Sequence, residues 1–219
     1  MIPLRDVVPS RTTPVVTMTL IALNTLVFLY QSTLSARADQ AFVNAFGLIP
    51  ADASLATLVS AMFVHGGFLH FAGNMLYLWI FGDNVEDRLG HGRYLLFYLL
   101  CGAAAAAGQI VPDPSSHIPM VGASGAIAGV LGAYFVLYPH SRVLTLFPFP
   151  LMLIEVPAVI LLGLWFLMNL VSGIGSIGEM NMGGIAFWAH AAGFAAGAAG
   201  CFLLRRPERL DVEWWSPDR

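Results

Sequence analysis

The chain has 219 residues, of which 58% are hydrophobic and 11% charged, with a mean hydropathy of +0.75. A soluble domain of this size must present a wetted surface, so the composition excludes one and defines a multi-span helical membrane protein. A net charge of -3 suggests neither a nucleic-acid partner nor an acidic-lipid-binding tail.

A hydrocarbon core takes roughly 20 apolar residues in helical form to cross. After a short tail, residues 1–14, the windows that reach or approach this length are residues 15–31, 67–82, 94–111, 121–138, 149–171 and 185–204, followed by a tail at 205–219. The first window follows Arg5 and Arg11 and precedes Ala36-Arg37-Ala38, which mimics a signal-peptidase site. Its length, with Asn24 and Gln31 inside it, favours a retained span. Residues 32–66 are long for a connection, and the apolar stretch 55–64 within them is too short to cross, so it is expected at the interface or dipping into the protein. The second window is short and carries His70 and Asn74. The fourth opens with Gly122-Ala123-Ser124-Gly125, the fifth carries Glu155 toward its inner end, and the sixth contains Trp188-Ala189-His190-Ala191-Ala192-Gly193. Between the last two lies the glycine-rich segment 172–178, expected as a flexible outer loop, with Trp165 and Phe166 near the top of the fifth window as a lateral gate or an interfacial aromatic belt.

With no lysine in the chain, orientation is read from arginine. Six crossings put Arg5, Arg11, Arg88, Arg93, Arg142, Arg205, Arg206, Arg209 and Arg219 on one side and Arg37 on the other, so both termini are expected in the cytosol. Windows two, four and six then run inward, and His70, Asn74, Ser124 and His190 share the outer half of the membrane. Polar groups at that depth are costly to keep, which makes them functional candidates. Cys101 and Cys201 lie in spans, where apolar packing is expected rather than a disulfide.

Small residues set the way these side chains can meet. Gly125, Gly129 and Gly132 on window four, and Ala189, Gly193, Gly197 and Gly200 on window six, remove bulk from one face of each helix and allow close backbone approach. Taken alone, such stripes are ordinary packing motifs of helical membrane proteins.

Taken together, Gly-Ala-Ser-Gly on one span, Ala-His with downstream glycines on the last, and His65-Gly-Gly-Phe-Leu-His70-Phe-Ala-Gly-Asn74 on the second resemble the rhomboid intramembrane serine proteases over residues 55–204. The resemblance implies an all-α polytopic membrane protein, a six-transmembrane-helix bundle over residues 15–204, in a prokaryotic inner membrane. It implies Ser124 as nucleophile and His190 as general base of a dyad, with His70, Asn74 and the Ser124 backbone N–H receiving the oxyanion. On spacing alone, His70 and Asn74 read as interhelical hydrogen-bonding groups. No acidic residue stands ready to orient the imidazole: Asp113 and Glu179 are expected in outer loops, so neutral hydrogen bonds or packing must hold it. His65 is expected to support its loop, His91, His117 and His140 to be solvated, and Glu86 and Arg88 to lie in a structural turn.

Two positions depart from the family pattern. Ala128 stands where an aromatic four residues after the serine offers the histidine a ring, and Ala56-Thr57 stands where a Trp-Arg pair anchors the first outer loop. The implied substrates are single-span membrane proteins with small or helix-breaking residues near the outer boundary, since a helix must unwind to expose a carbonyl. Membrane lipid is the surrounding partner, and no cofactor or metal is called for. The alternatives are a catalytically inactive rhomboid-like protein that binds client spans, a transporter, which would show paired charges or broken-helix repeats, and a metalloprotease, which needs His-Glu-x-x-His.

Overall fold

The computed structural model describes residues 1–175 and 187–205. Within them the chain forms helices α1 (Val15–Ser32), α2 (Ala36–Phe46), α3 (Leu55–Ser60), α4 (Phe68–Leu89), α5 (His91–Ile110), α6 (Ser124–Leu137), α7 (Ala158–Gly175) and α8 (Phe187–Leu204). Strands β1 (Ile2–Asp6), β2 (Arg142–Pro148) and β3 (Leu151–Pro157) form one antiparallel sheet in that order. Of the described helices, α1, α5 and α8 are long and apolar enough to cross a membrane by length and composition. Glu179, residues 176–178, the first two residues of the window at 185–204, and Arg206, Arg209 and Arg219 lie outside the described residues.

The molecule is mostly helical rather than all-α. The apolar run expected as one span at 149–171 is a strand followed by a helix that starts at Ala158. Hydropathy cannot separate an apolar strand from an apolar helix. Prolines decide it here, because Pro148, Pro150 and Pro157 remove backbone donors that a helix interior needs. Glu155 consequently sits on β3, with Arg142 Nη1 3.4 Å from its carboxylate, and not within a span. Glu86 and Arg88 are likewise corrected: they occupy the last turns of α4, and the turn follows at Gly90.

α6 is the hub of the bundle. Every residue from Ala126 to Tyr134 is buried, as expected of a helix that is apolar all round. At 14 residues it is about 21 Å long, shorter than a hydrocarbon core of about 30 Å, so Ser124 begins inside the bundle. It lies closest to α8. A Cβ on Gly197 would stand 1.9 Å from the Gly129 carbonyl oxygen, and one on Gly132 would stand 2.0 Å from that of Phe194. The two backbones touch where the small-residue stripes face each other.

Polar contacts fasten α1 to this core at both ends. The Glu86 carboxylate accepts the backbone N–H groups of Val16 (2.9 Å) and Thr17 (2.8 Å), filling the orphan donors of the first turn of α1. His91 Nδ1 lies 2.6 Å from the same carboxylate, which places this histidine in a polar contact rather than simply in solvent. Asp87 accepts from the N–H of Arg11 and Thr12. At the far end, Gln31 exchanges hydrogen bonds with the backbone N–H and C=O of His65, and His65 itself is buried. The sheet draws residues 2–6 and 142–157 to one end of the bundle, where Arg93 also reaches the Leu204 carbonyl. That end carries most of the arginines.

The segment at 55–64 is partly the short helix α3 and partly buried chain. Around Ala56-Thr57, Ser54 and Thr57 form a reciprocal capping box, Ser60 Oγ donates to the Phe46 carbonyl, and Leu48 pairs with Met120. The loop is anchored by hydroxyls and backbone.

Candidate active site

Four elements converge at the end opposite the sheet. Ser124 is the first residue of α6, after Ala123 at the cap position, and the first intrahelical bond runs from Ile127 N to Ala123 O. The Ser124 N–H therefore belongs to the orphan donors of a helix start, at the positive end of the helix dipole. His190 lies in the first turns of α8, and its Nε2 is 2.8 Å from Ser124 Oγ. The close packing of Gly193 against the Gly125 carbonyl, where an added Cβ would come within 2.2 Å, brings these two helix starts together.

His70 and Asn74 are one turn apart on α4 and face the same point. Gly122, with φ +110°, adopts a backbone conformation that favours glycine. A Cβ there would lie 2.7 Å from His70 Nε2 and 3.3 Å from Asn74 Nδ2, so both side chains close over the backbone two residues before Ser124. Gly66 N makes a long contact, 3.4 Å, to His70 Nδ1; an acceptor there leaves the proton on Nε2, the nitrogen turned toward Gly122. Asn74 Nδ2 is buried with no hydrogen-bond partner among the described residues. A buried unpaired N–H is costly, and such a group marks where a ligand oxygen would be received.

One contact lies outside the sequence-based expectations. Asn169 of α7 places Oδ1 2.8 Å from His190 Nδ1, while its Nδ2 donates to the Trp165 carbonyl at 2.8 Å. The Trp165 ring lies 5.7 Å from the His190 ring, centroid to centroid, at 38°. Ala128 supplies no ring, and α7 supplies one instead. A polar residue deep in an apolar run was the available signal. Beside Ser124 a cavity of about 50 Å³ is lined by small and apolar groups, among them Met62, Gly102, Ala105, Met120, Gly122 and Ala189. Among the described residues, no group of three or more His, Cys, Asp or Glu side chains could hold a metal ion.

A helical membrane protein whose hydroxyl and imidazole meet between two helix starts, with amide and imidazole donors facing the same point, defines the class. The chain belongs to the rhomboid family: the Rhomboid domain model matches residues 52–207. It is 38% identical over 148 residues to Rhomboid protease GluP of Bacillus subtilis, which covers 67% of this chain and 28% of that protein. It is 34% identical over 98 residues to Rhomboid protein 1, mitochondrial, of Saccharomyces cerevisiae, covering 43% of this chain and 28% of that one. RHOMBOID-like protein 5 of Arabidopsis thaliana is 37% identical over 76 residues, 35% of this chain and 25% of that protein. The chain thus spans well under half the length of these relatives.

Proposed function

We propose that this protein is an intramembrane serine endopeptidase that cleaves single-span membrane proteins near the outer boundary of the membrane. The observation that carries the reading is the 2.8 Å contact between His190 Nε2 and Ser124 Oγ, made between two separate helices inside an apolar bundle. His190 takes the hydroxyl proton as Ser124 attacks the scissile carbonyl carbon; the carbonyl π electrons move onto oxygen to give the tetrahedral oxyanion. The oxyanion is received by the Ser124 N–H, Asn74 Nδ2 and His70 Nε2. Collapse expels the amine, which takes its proton from His190, and water then hydrolyses the acyl-enzyme by the same base.

The cavity beside Ser124 has room for a small side chain, in keeping with substrates that are small-residue-rich and easily unwound at the cleavage point. The same reading has six crossings with both termini in the cytosol of a prokaryotic cell, the arginine-bearing end inward and the serine end outward, and the arginine distribution supports it.

The test is cleavage of a single-span reporter by the purified full chain in detergent, alongside Ser124→Ala and His190→Ala. Both variants are expected to lose on the order of 10⁴-fold or more of the turnover. A fluorophosphonate is expected to label the wild type and not Ser124→Ala. Equal cleavage by all three proteins sinks the dyad; a wild type that neither cleaves nor labels but captures the reporter span marks an inactive client-binding rhomboid-like protein.

A further inference from the structure

Resting on the Ser124–His190 reading, we infer that Asn169 of α7 is a positioning residue for His190: its amide oxygen selects which imidazole nitrogen carries the proton and so makes the base competent. A chain of donors and acceptors sets the tautomer. Asn169 Nδ2 donates to the Trp165 carbonyl one turn earlier on the same helix, at 2.8 Å, which fixes the orientation of the amide. Oδ1 is thereby turned to His190 Nδ1, also at 2.8 Å. A carbonyl oxygen only accepts, so Nδ1 must be the protonated nitrogen. A neutral imidazole carries one N–H, and Nε2 therefore holds a lone pair toward Ser124 Oγ, whose hydroxyl donates. In the other tautomer two lone pairs would face each other at the Asn169 contact, and Nε2 would offer Ser124 a proton in place of a base.

This assignment supplies the neutral hydrogen bond that the absence of a nearby carboxylate among the described residues requires. Among the described residues, the titratable neighbour acting on His190 is His70 of α4, and the other groups that touch it, Asn169, Trp165 and Ser124, are uncharged. Trp165 completes the arrangement: its carbonyl holds the amide and its ring lies against the imidazole, so one face of α7 provides both restraints. The hydrogen bonds of the Asn169 side chain go to the Trp165 carbonyl and to His190 Nδ1, not to the hydroxyl. Its effect passes through His190, as the orienting carboxylate of a Ser-His-Asp triad acts through its histidine.

The experiment compares Asn169→Leu and Asn169→Asp with the wild type, using His190→Ala as reference. Each full-length protein is assayed for reporter cleavage, and ¹⁵N-histidine NMR reads the His190 tautomer, with the signal assigned by its loss in His190→Ala. The wild type is expected to show Nδ1–H. Asn169→Leu is expected to lose that single tautomer and about 10- to 100-fold in kcat, with KM within about twofold, because substrate binding does not use the base. Asn169→Asp keeps an acceptor oxygen in the same place and is expected to recover the tautomer and most of kcat. A wild type in the Nε2–H form overturns the inference, and this readout does not depend on either Asn169 variant folding. So does Asn169→Leu with undiminished kcat while His190→Ala is dead, or Asn169→Asp as defective as Asn169→Leu. If His190→Ala cleaves as well as wild type, the dyad itself has failed and the inference falls with it for that separate reason.

Discussion

On the proposed reading, Asn74 is a side chain held in readiness at a cost to the resting protein. Its amide is buried and its N–H group has no partner among the described residues, so the folded state bears a desolvation penalty that a bound oxyanion would relieve. Asn74→Ala is therefore expected to reduce kcat by about 10²- to 10³-fold. Its thermal unfolding midpoint should stay level or rise, since the change removes an unsatisfied donor. A packing-only role for Asn74 gives the opposite result, a lowered midpoint with kcat intact, and reporter kinetics with a melting curve separate the two. Ser124, His190, His70 and Asn74 were all legible as residues because each interrupts an apolar window within a short, dense motif. Asn169 was not, because no periodicity or spacing links an amide on one helix to an imidazole 21 positions later on the next. That link exists only in three dimensions.

At the scale of the elements, the site depends on how closely α6 and α8 approach. Gly197→Leu forces a side chain into the Gly129 backbone and cannot be absorbed by a rotamer change, so it is expected to cost about 1–3 kcal/mol or more and to lower the melting midpoint clearly. Gly73→Ala on α4 is the contrasting case: nothing lies within 4 Å of the added methyl, and the midpoint should hold or rise slightly. A thermal melt of both variants checks the pair. The glycine stripes were readable in the sequence because four-residue spacing repeats on both windows. The sheet was not, since the hydropathy of β3 matches that of the helix it precedes, and what separates them is proline placement and the pairing of β3 with β2.

For the whole molecule, the sheet end carries the clearest pH dependence. Asp6 on β1 is raised from 3.8 to about 7, chiefly by burial, with the Asp83 charge adding to the rise and a hydrogen bond from Tyr134 Oη (2.5 Å) opposing it. A carboxyl raised on folding binds its proton more tightly in the folded state, so its stabilising contribution is complete below about pH 4 and is lost as the pH climbs through about 7. The melting midpoint is expected to fall across that window, and Asp6→Asn to flatten the fall; an unchanged slope in the variant would show that another group sets it.

The same strand has a consequence for the order of assembly. Ile2 pairs with Leu146, so the first strand of the chain waits for a partner made some 140 residues later. At about 5–20 residues per second, that is a delay of roughly 7–30 s. During this interval α1 through α6 must be laid down while the leading segment stays on the side where β2 will emerge. Meanwhile Glu86 and Asp87, synthesised far sooner, can hold the start of α1. The sheet is thus a late latch, its second strand made after the helix that carries Ser124 and before the one that carries His190.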